Sequence, residues 1–181
     1  CFPKDVQALI RTGQENQCEM ELLKSVEAVN QTQKEYLLRM IEKVYGNDLS
    51  NLTFAAWGLS FKPQTDDMRE APSRVVIDGL LSRGAKIIAS DPAAIEEAQK
   101  IWDDRISYQE YYYDALEGAD ALLVLTEWND FRRPDFNRIK ELLKKPVVFD
   151  GRNIFDPFKM KSLGFEYHSI GRPFANGNGQ H

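Results

Sequence analysis

Apolar positions recur at three- and four-residue spacing through the first part of the chain. Val6, Leu9 and Ile10 make a short stripe that Gly13 interrupts. A longer series follows in Met20, Leu22, Leu23, Val26 and Val29, then Tyr36, Leu37, Met40, Ile41, Val44 and Tyr45. This spacing predicts helix from Pro3 to Gly46, with one long helix over 18–45 that stops at Gly46-Asn47. Residues 30–35 (NQTQKE) are polar and weakly patterned. A helix of that length outruns what a small domain covers on one side. It is therefore expected to bridge two domains or to pack on a second copy of the chain.

After NDLSN the texture changes to short apolar runs separated by amphipathic stretches. Strands are predicted at 52–57 (LTFAAW), 85–90 (AKIIAS), 105–108, 119–128 (ADALLVLTEW), 146–150 (PVVFD) and 165–171 (FEYHSIG). Helices are predicted at 73–84, with Pro72 at the start and Gly84 at the end, and over DPAAIEEAQK, YQEYYYDALEG and PDFNRIKELLKK. Strands alternating with helices imply an α/β fold: a long helical element, then a Rossmann-like parallel sheet with helices on both faces. The unbroken apolar runs agree, since strands covered on both sides need not alternate. The expected division is 1–48 helical, 49–174 Rossmann-like, and 175–181 a disordered tail. Ligands of such sheets sit at the carboxyl ends of the strands. Here those ends are 58–69, Asp91-Pro92, Thr126-Glu127-Trp128 and Asp150-Gly151-Arg152.

Composition narrows the partners. The 181 residues are 43% hydrophobic, enough for a core, and the net charge of −5 comes without any basic run. Nucleic acid and anionic membrane are therefore not expected partners, while a few local cations leave room for an anionic small molecule. No apolar run approaches membrane-spanning length. Cys1 and Cys18 are too few for a disulfide framework and fit a reducing, cytoplasmic setting. His168 and His181 do not group with cysteines, so no metal is expected. A chain that starts with Cys instead of Met reads as a piece of a longer protein.

Three stretches could carry chemistry. In CFPKD, Pro3 suits a helix first turn, which places Cys1 among unpaired backbone N–H groups that favour thiolate, with Asp5 one turn on. The same spacing fits a first-turn carboxylate serving the helix dipole beside an ordinary thiol. In 58–72 (GLSFKPQTDDMREAP) there is no GxGxxG fingerprint, but Lys62 and Arg69 are each able to meet a phosphate oxygen. Asp66, Asp67 and Glu70 could instead neutralise both within a solvated loop. In DGRN, Gly151 permits close backbone approach and Arg152 would point to the same crevice as Lys62; a turn with a surface Arg is the plainer reading. Cys18 reads as packing, the Tyr108 and Tyr111–113 cluster as helix-surface packing, and His168 as structural.

Taken together and in this order, CFPKDVQAL, GLSFKPQTDDMREAPS, SDP, ADALLVLTEW, FDGRNIFDP and IGRP resemble segments of the UDP-glucose/GDP-mannose dehydrogenase family, over nearly the whole chain. The resemblance implies an N-terminal NAD domain, a long central helix at a dimer interface and a C-terminal Rossmann-like domain. This chain would hold the last two, starting at the catalytic cysteine. The family's NAD fingerprint and catalytic lysine are not in this sequence, so the chain is expected to be inactive alone. The implied reaction is oxidation of UDP-glucose to UDP-glucuronate with two NAD. Cys1 is implied to be the nucleophile, forming a thiohemiacetal and then a thioester, and Asp5 to assist the water and proton steps. By the same resemblance Lys4 and Arg69 lie near NAD, and Phe2, Phe61, Lys62 and Arg152 on the substrate. Phe2 favours UDP-glucose over GDP-mannose. Sibling enzymes of GDP-mannose or UDP-N-acetylhexosamines, and a bare nucleotide-binding dimerisation module, are the alternatives.

Overall fold

The computed structural model describes residues 2–172 and 175–176, with Phe2 and 175–176 described by their backbone. The chain forms two compact units, Cys1–Tyr36 and Leu37–His181.

The first unit is a helical hairpin. Helix α1 (Phe2–Glu15) and helix α2 (Glu21–Lys34) are joined by a turn in which the Cys18 amide donates to the Gly13 carbonyl at 2.8 Å. Val6 is buried between the helices, and Gln7 Nε2 donates to Glu27 Oε1 at 2.8 Å. The helix expected over 18–45 is interrupted at Glu35, before α3 (Tyr36–Tyr45). Residues 30–34 supply no apolar stripe there, and Thr32 Oγ1 bonds back to the Ala28 carbonyl at 3.0 Å, a bond that loosens the helical ladder. Cys18 is exposed, not packed as expected.

The second unit opens with most of α3, whose Leu37, Leu38 and Ile41 are buried in the core beneath a sheet. The expected boundary at 48/49 therefore falls at 36/37, because the apolar face of α3 is covered by the sheet domain. The strands are β1 (Thr53–Trp57), β2 (Lys86–Ser90), β3 (Ser107–Tyr108), β4 (Ala121–Val124), β5 (Val147–Asp150), β6 (Glu166–Ser169) and β7 (Ala175–Asn176). Their order in the sheet is β3-β2-β1-β4-β5-β6-β7, parallel except for β7, which pairs antiparallel with β6. Ala175 and Asn176, expected in a disordered tail, thus add an edge strand; 177–181 lie outside the described residues.

Helices α4 (Pro72–Leu81), α5 (Ile95–Trp102), α6 (Phe136–Leu142) and α7 (Pro157–Ser162) complete the unit. Side chains alternate along β1: Phe54 and Ala56 join one core with Val76, Ile77, Leu80 and Trp102 of α4 and α5. Ala55 and Trp57 join the other with Ile139 of α6 and Met160 of α7. Both faces are covered, as the apolar runs require.

Two elements differ from the sequence reading. YQEYYYDALEG is not an α-helix but a set of turns with a short 3-10 segment, Asp114–Leu116. The Tyr112 carbonyl there accepts from Trp57 Nε1 at 2.7 Å, and the rings of Tyr112 and Tyr113 pack edge-on against Trp57. An α-helix would splay successive rings around its axis and bind that carbonyl internally. Helix α7 is an addition to the predicted elements. Asp156 caps it by accepting from the Lys159 amide at 2.8 Å, and Pro157 opens its first turn.

Candidate functional site

From β1 the chain runs outward through β2 to β3, and from β4 outward the other way through β5 to β6. The reversal lies between β1 and β4, and a parallel sheet takes its ligand outside the carboxyl ends of the strands at such a point. The loops bordering it here are 58–71 after β1 and 125–135 after β4, with the β2 end at Asp91 and the β5 end at Asp150 on either side.

Gly58 turns the chain out of β1 at φ +91°, and a β-carbon there would lie 2.4 Å from Thr126 Cβ. The two loops touch at this point, and Thr126 Oγ1 donates to the Ser60 carbonyl at 2.6 Å. Ser73 Oγ of α4 donates to the Leu59 carbonyl, tying the far end of the long loop back to its beginning. Asp91, buried, accepts from the Leu59 amide at 2.7 Å, the Ser60 amide at 3.1 Å and Trp128 Nε1 at 3.1 Å.

At the β5 end, buried Asp150 accepts from the Arg152 amide at 2.9 Å, the Phe155 amide at 3.1 Å and the Tyr167 hydroxyl at 2.8 Å. Burial pushes the Asp150 carboxyl above its ordinary range, although these donors pull it back part of the way. The Arg152 guanidinium pairs with Glu127, joining the ends of β4 and β5. Desolvation of half-buried Glu127 acts to raise its pKa, but the hydrogen bond and charge of Arg152 outweigh it and hold Glu127 low.

The expected site residues divide accordingly. Phe61 sits in the β1 loop with its ring partly buried against the core, and Lys62 beside it is exposed. Arg69 lies further along the same loop, exposed, with its guanidinium forked onto Asp67 at 2.9 and 2.7 Å. Arg152 stands at the same sheet edge, two strands away, and is half-buried on Glu127 instead of pointing free. Lys4 and Asp5 are exposed in the first turn of α1, which Phe2 opens; Cys1 lies outside the described residues. His168 is structural, stacked on Phe149 with ring centroids 4.6 Å apart and 2.8 Å from Glu166. In the sequence, Asp91, Thr126 and Glu127 stand out only as strand ends. The sign that distinguishes them is a polar residue directly after an apolar strand, where backbone donors and acceptors of neighbouring loops converge. Among the described residues, no group of His, Cys, Asp and Glu could hold a metal, and no helix is long and apolar enough to cross a membrane.

The family model described as "UDP-glucose/GDP-mannose dehydrogenase family, UDP binding domain" matches residues 55–157, which run from β1 to the start of α7. The chain belongs to the UDP-glucose/GDP-mannose dehydrogenase family. It is 43% identical over 180 residues to a UDP-glucose 6-dehydrogenase of Pseudomonas aeruginosa, covering 97% of this chain and 40% of that protein. A UDP-glucose 6-dehydrogenase of Rhizobium meliloti is 40% identical over 173 residues, covering 96% of this chain and 39% of its own length. Among solved structures, a UDP-glucose dehydrogenase of Pyrobaculum islandicum superposes with a TM-score of 0.74 at 34% identity, over 85% of this chain and 34% of that one. The chain thus spans about 40% of the length of the curated relatives it matches.

Proposed function

We propose that this chain is the UDP-recognising part of an NAD-dependent enzyme that oxidises UDP-glucose to UDP-glucuronate. The observation that carries the reading is a coincidence of extents. The UDP-binding match, 55–157, is the stretch that builds the carboxyl edge from Gly58 to Arg152. Lys62 offers that edge an exposed point charge for a diphosphate, and Phe61 an apolar surface at its side. Arg152 would supply a fork once it leaves, or shares, Glu127.

NAD would serve as the acceptor for two hydrides. For it this chain offers the cations Lys4 and Arg69, while the β1 turn has no room for a dinucleotide phosphate, its Leu59 and Ser60 amides being engaged by Asp91. Cys1 would add to the sugar C6 aldehyde, hold the oxidised carbon as a thioester and release it to water. Asp5 would relay the proton, and Phe2 would line the sugar. By itself the chain would bind nucleotide and not turn over. The exposed apolar face of α2, with Leu22 at 78% and Val29 at 69% accessibility, supports homodimerisation through the helical unit.

Calorimetric titration with UDP, UDP-glucose and GDP tests the nucleotide assignment. UDP should bind and Lys62→Ala should weaken it about tenfold, as expected for a lost charge-assisted contact. Preference for GDP would point to the sibling enzyme, and no binding to a dimerisation module. Iodoacetamide labelling tests the cysteine: Cys18 is exposed, so access does not protect it. Faster modification of Cys1 would report thiolate character, and equal rates would count against the nucleophile.

A further inference from the structure

The Asp91 carboxylate receives six hydrogen bonds. Its Oδ2 takes the Leu59 amide at 2.7 Å, the Ser60 amide at 3.1 Å, Ser60 Oγ at 3.2 Å and Trp128 Nε1 at 3.1 Å; its Oδ1 takes the Ala93 and Ala94 amides, each at 2.8 Å. These donors come from the loop after β1, the loop after β4 and the turn that leads into α5. At 2% accessibility the group is out of reach of any ligand.

Two features of a dinucleotide-binding sheet are used up in this one arrangement. The amides after the first strand ordinarily face a phosphate, and an acid at the end of the second strand ordinarily faces a ribose. Here the acid has turned inward onto the amides. Paired backbone N–H groups form an anion seat whatever the anion is, and in this chain the anion is a side chain.

We propose that Asp91 is the positioning residue of the candidate nucleotide site, an internal anion that stands in the phosphate seat of β1 and fixes the loop presenting Phe61 and Lys62. Resting on the UDP reading above, this adds a residue that touches no substrate but sets the geometry of those that do. The carboxylate joins both loops that border the sheet's reversal, so its loss would free them together. Asp91→Asn is the sharpest small change, because one end of an amide must then face N–H groups as a donor.

The test is Asp91→Ala, examined by hydrogen exchange and by UDP titration, with and without formate at constant ionic strength. Amide protection at Leu59 and Ser60 should fall, and UDP affinity should drop about tenfold for the loss of buried charge-assisted bonds. Formate, but not chloride, should restore both, which a merely structural cavity would not do. Unchanged exchange at Leu59 and Ser60, or recovery with chloride alone, would overturn the proposal. Formate-restored protection in a chain whose wild type binds no UDP would keep the anion seat and remove the nucleotide reading. If Asp91→Ala does not fold, Trp128→Phe and Ser60→Ala each remove one donor to the same oxygen. Both should then speed exchange at Leu59, and wild-type rates in both would refute the hub.

Discussion

Replacing Gly58 with Ala should be among the most damaging single-methyl additions in the sheet unit, and the structure separates the cost into two parts. Gly58 has φ +91°, where an L-residue is strained by about 1–2 kcal/mol. The added carbon would also lie 2.4 Å from Thr126 Cβ and 2.7 Å from the Thr126 amide nitrogen. Neither atom is the end of a flexible side chain, so the β1 and β4 loops must part, an overpacking cost of about 1–3 kcal/mol. Together these give about 2–5 kcal/mol against a typical domain stability of about 5–15 kcal/mol. Gly118 provides the control, with φ +67° and no atom within 4 Å of where its β-carbon would stand. Gly118→Ala should therefore lose only the conformational part, about 1–2 kcal/mol. Urea unfolding of the two variants measures the difference directly, provided the slope of stability against urea stays at the wild-type value. Equal losses would refute the reasoning, since the clash with Thr126 would then contribute nothing.

Asp150→Asn should change how stability depends on pH. Folding raises the Asp150 pKa, so its contribution is full below about pH 4 and is lost as pH rises through the folded value. The stability advantage of wild type over Asp150→Asn should therefore shrink from acid to neutral pH, and a constant or growing advantage would contradict the sign. Tyr167→Phe removes a donor to Asp150 and should cost about 1–3 kcal/mol while raising the Asp150 pKa further, which a carboxyl-carbon NMR titration would detect. A double-mutant cycle of Glu127→Gln and Arg152→Gln should return a coupling of about 1 kcal/mol at neutral pH. Because Glu127 is held low, that coupling persists above the ordinary Glu range and disappears as pH falls through its folded pKa. If the helical unit dimerises as proposed, light scattering should report a dimer for wild type and a monomer for Leu22→Asp with Val29→Asp; equal masses would remove the helical interface.

The sheet was legible because its determinants are local and repetitive. LTFAAW, AKIIAS, ADALLVLTEW and PVVFD each hold an unbroken apolar run (FAAW, IIA, ALLVL and VVF), and each contains an observed strand of shorter length. The strand ends were overdrawn for a physical reason. Leu125, Thr126 and Trp128 are as buried as the strand before them, yet their backbone turns to meet the β1 loop. Composition records burial and not the point at which a ladder ends. The Tyr111–113 region failed differently, since its conformation depends on a hydrogen bond from Trp57 across 55 residues of sequence. The break at Glu35 was visible as the polar run 30–35, but a weak apolar pattern does not say whether a helix continues.

The cations of the candidate edge stood out in the sequence, and its buried acids did not. Lys62, Arg69 and Arg152 stand out in a sequence as groups that meet phosphate, and all three occur at the sheet's carboxyl edge. Asp91 and Asp150 look from sequence like further polar edge residues, yet both are buried. A buried carboxylate persists only if donors saturate it. At the ends of parallel strands the nearest donors are the backbone amides of the next loops, so an acid there is drawn into shaping those loops. Asp91 takes the amides after β1 and Asp150 those after β5, the two turns that carry Lys62 and Arg152. Two anions of this edge, Asp91 and Asp150, are thus spent internally on holding the loops that carry Lys62 and Arg152, while Asp67 and Glu127 pair with Arg69 and Arg152. It follows that neutralising Asp91 or Asp150 should weaken binding of a diphosphate, although either change makes the edge more positive. Simple charge counting predicts the opposite sign, so titration of both Asn variants with UDP separates the two accounts.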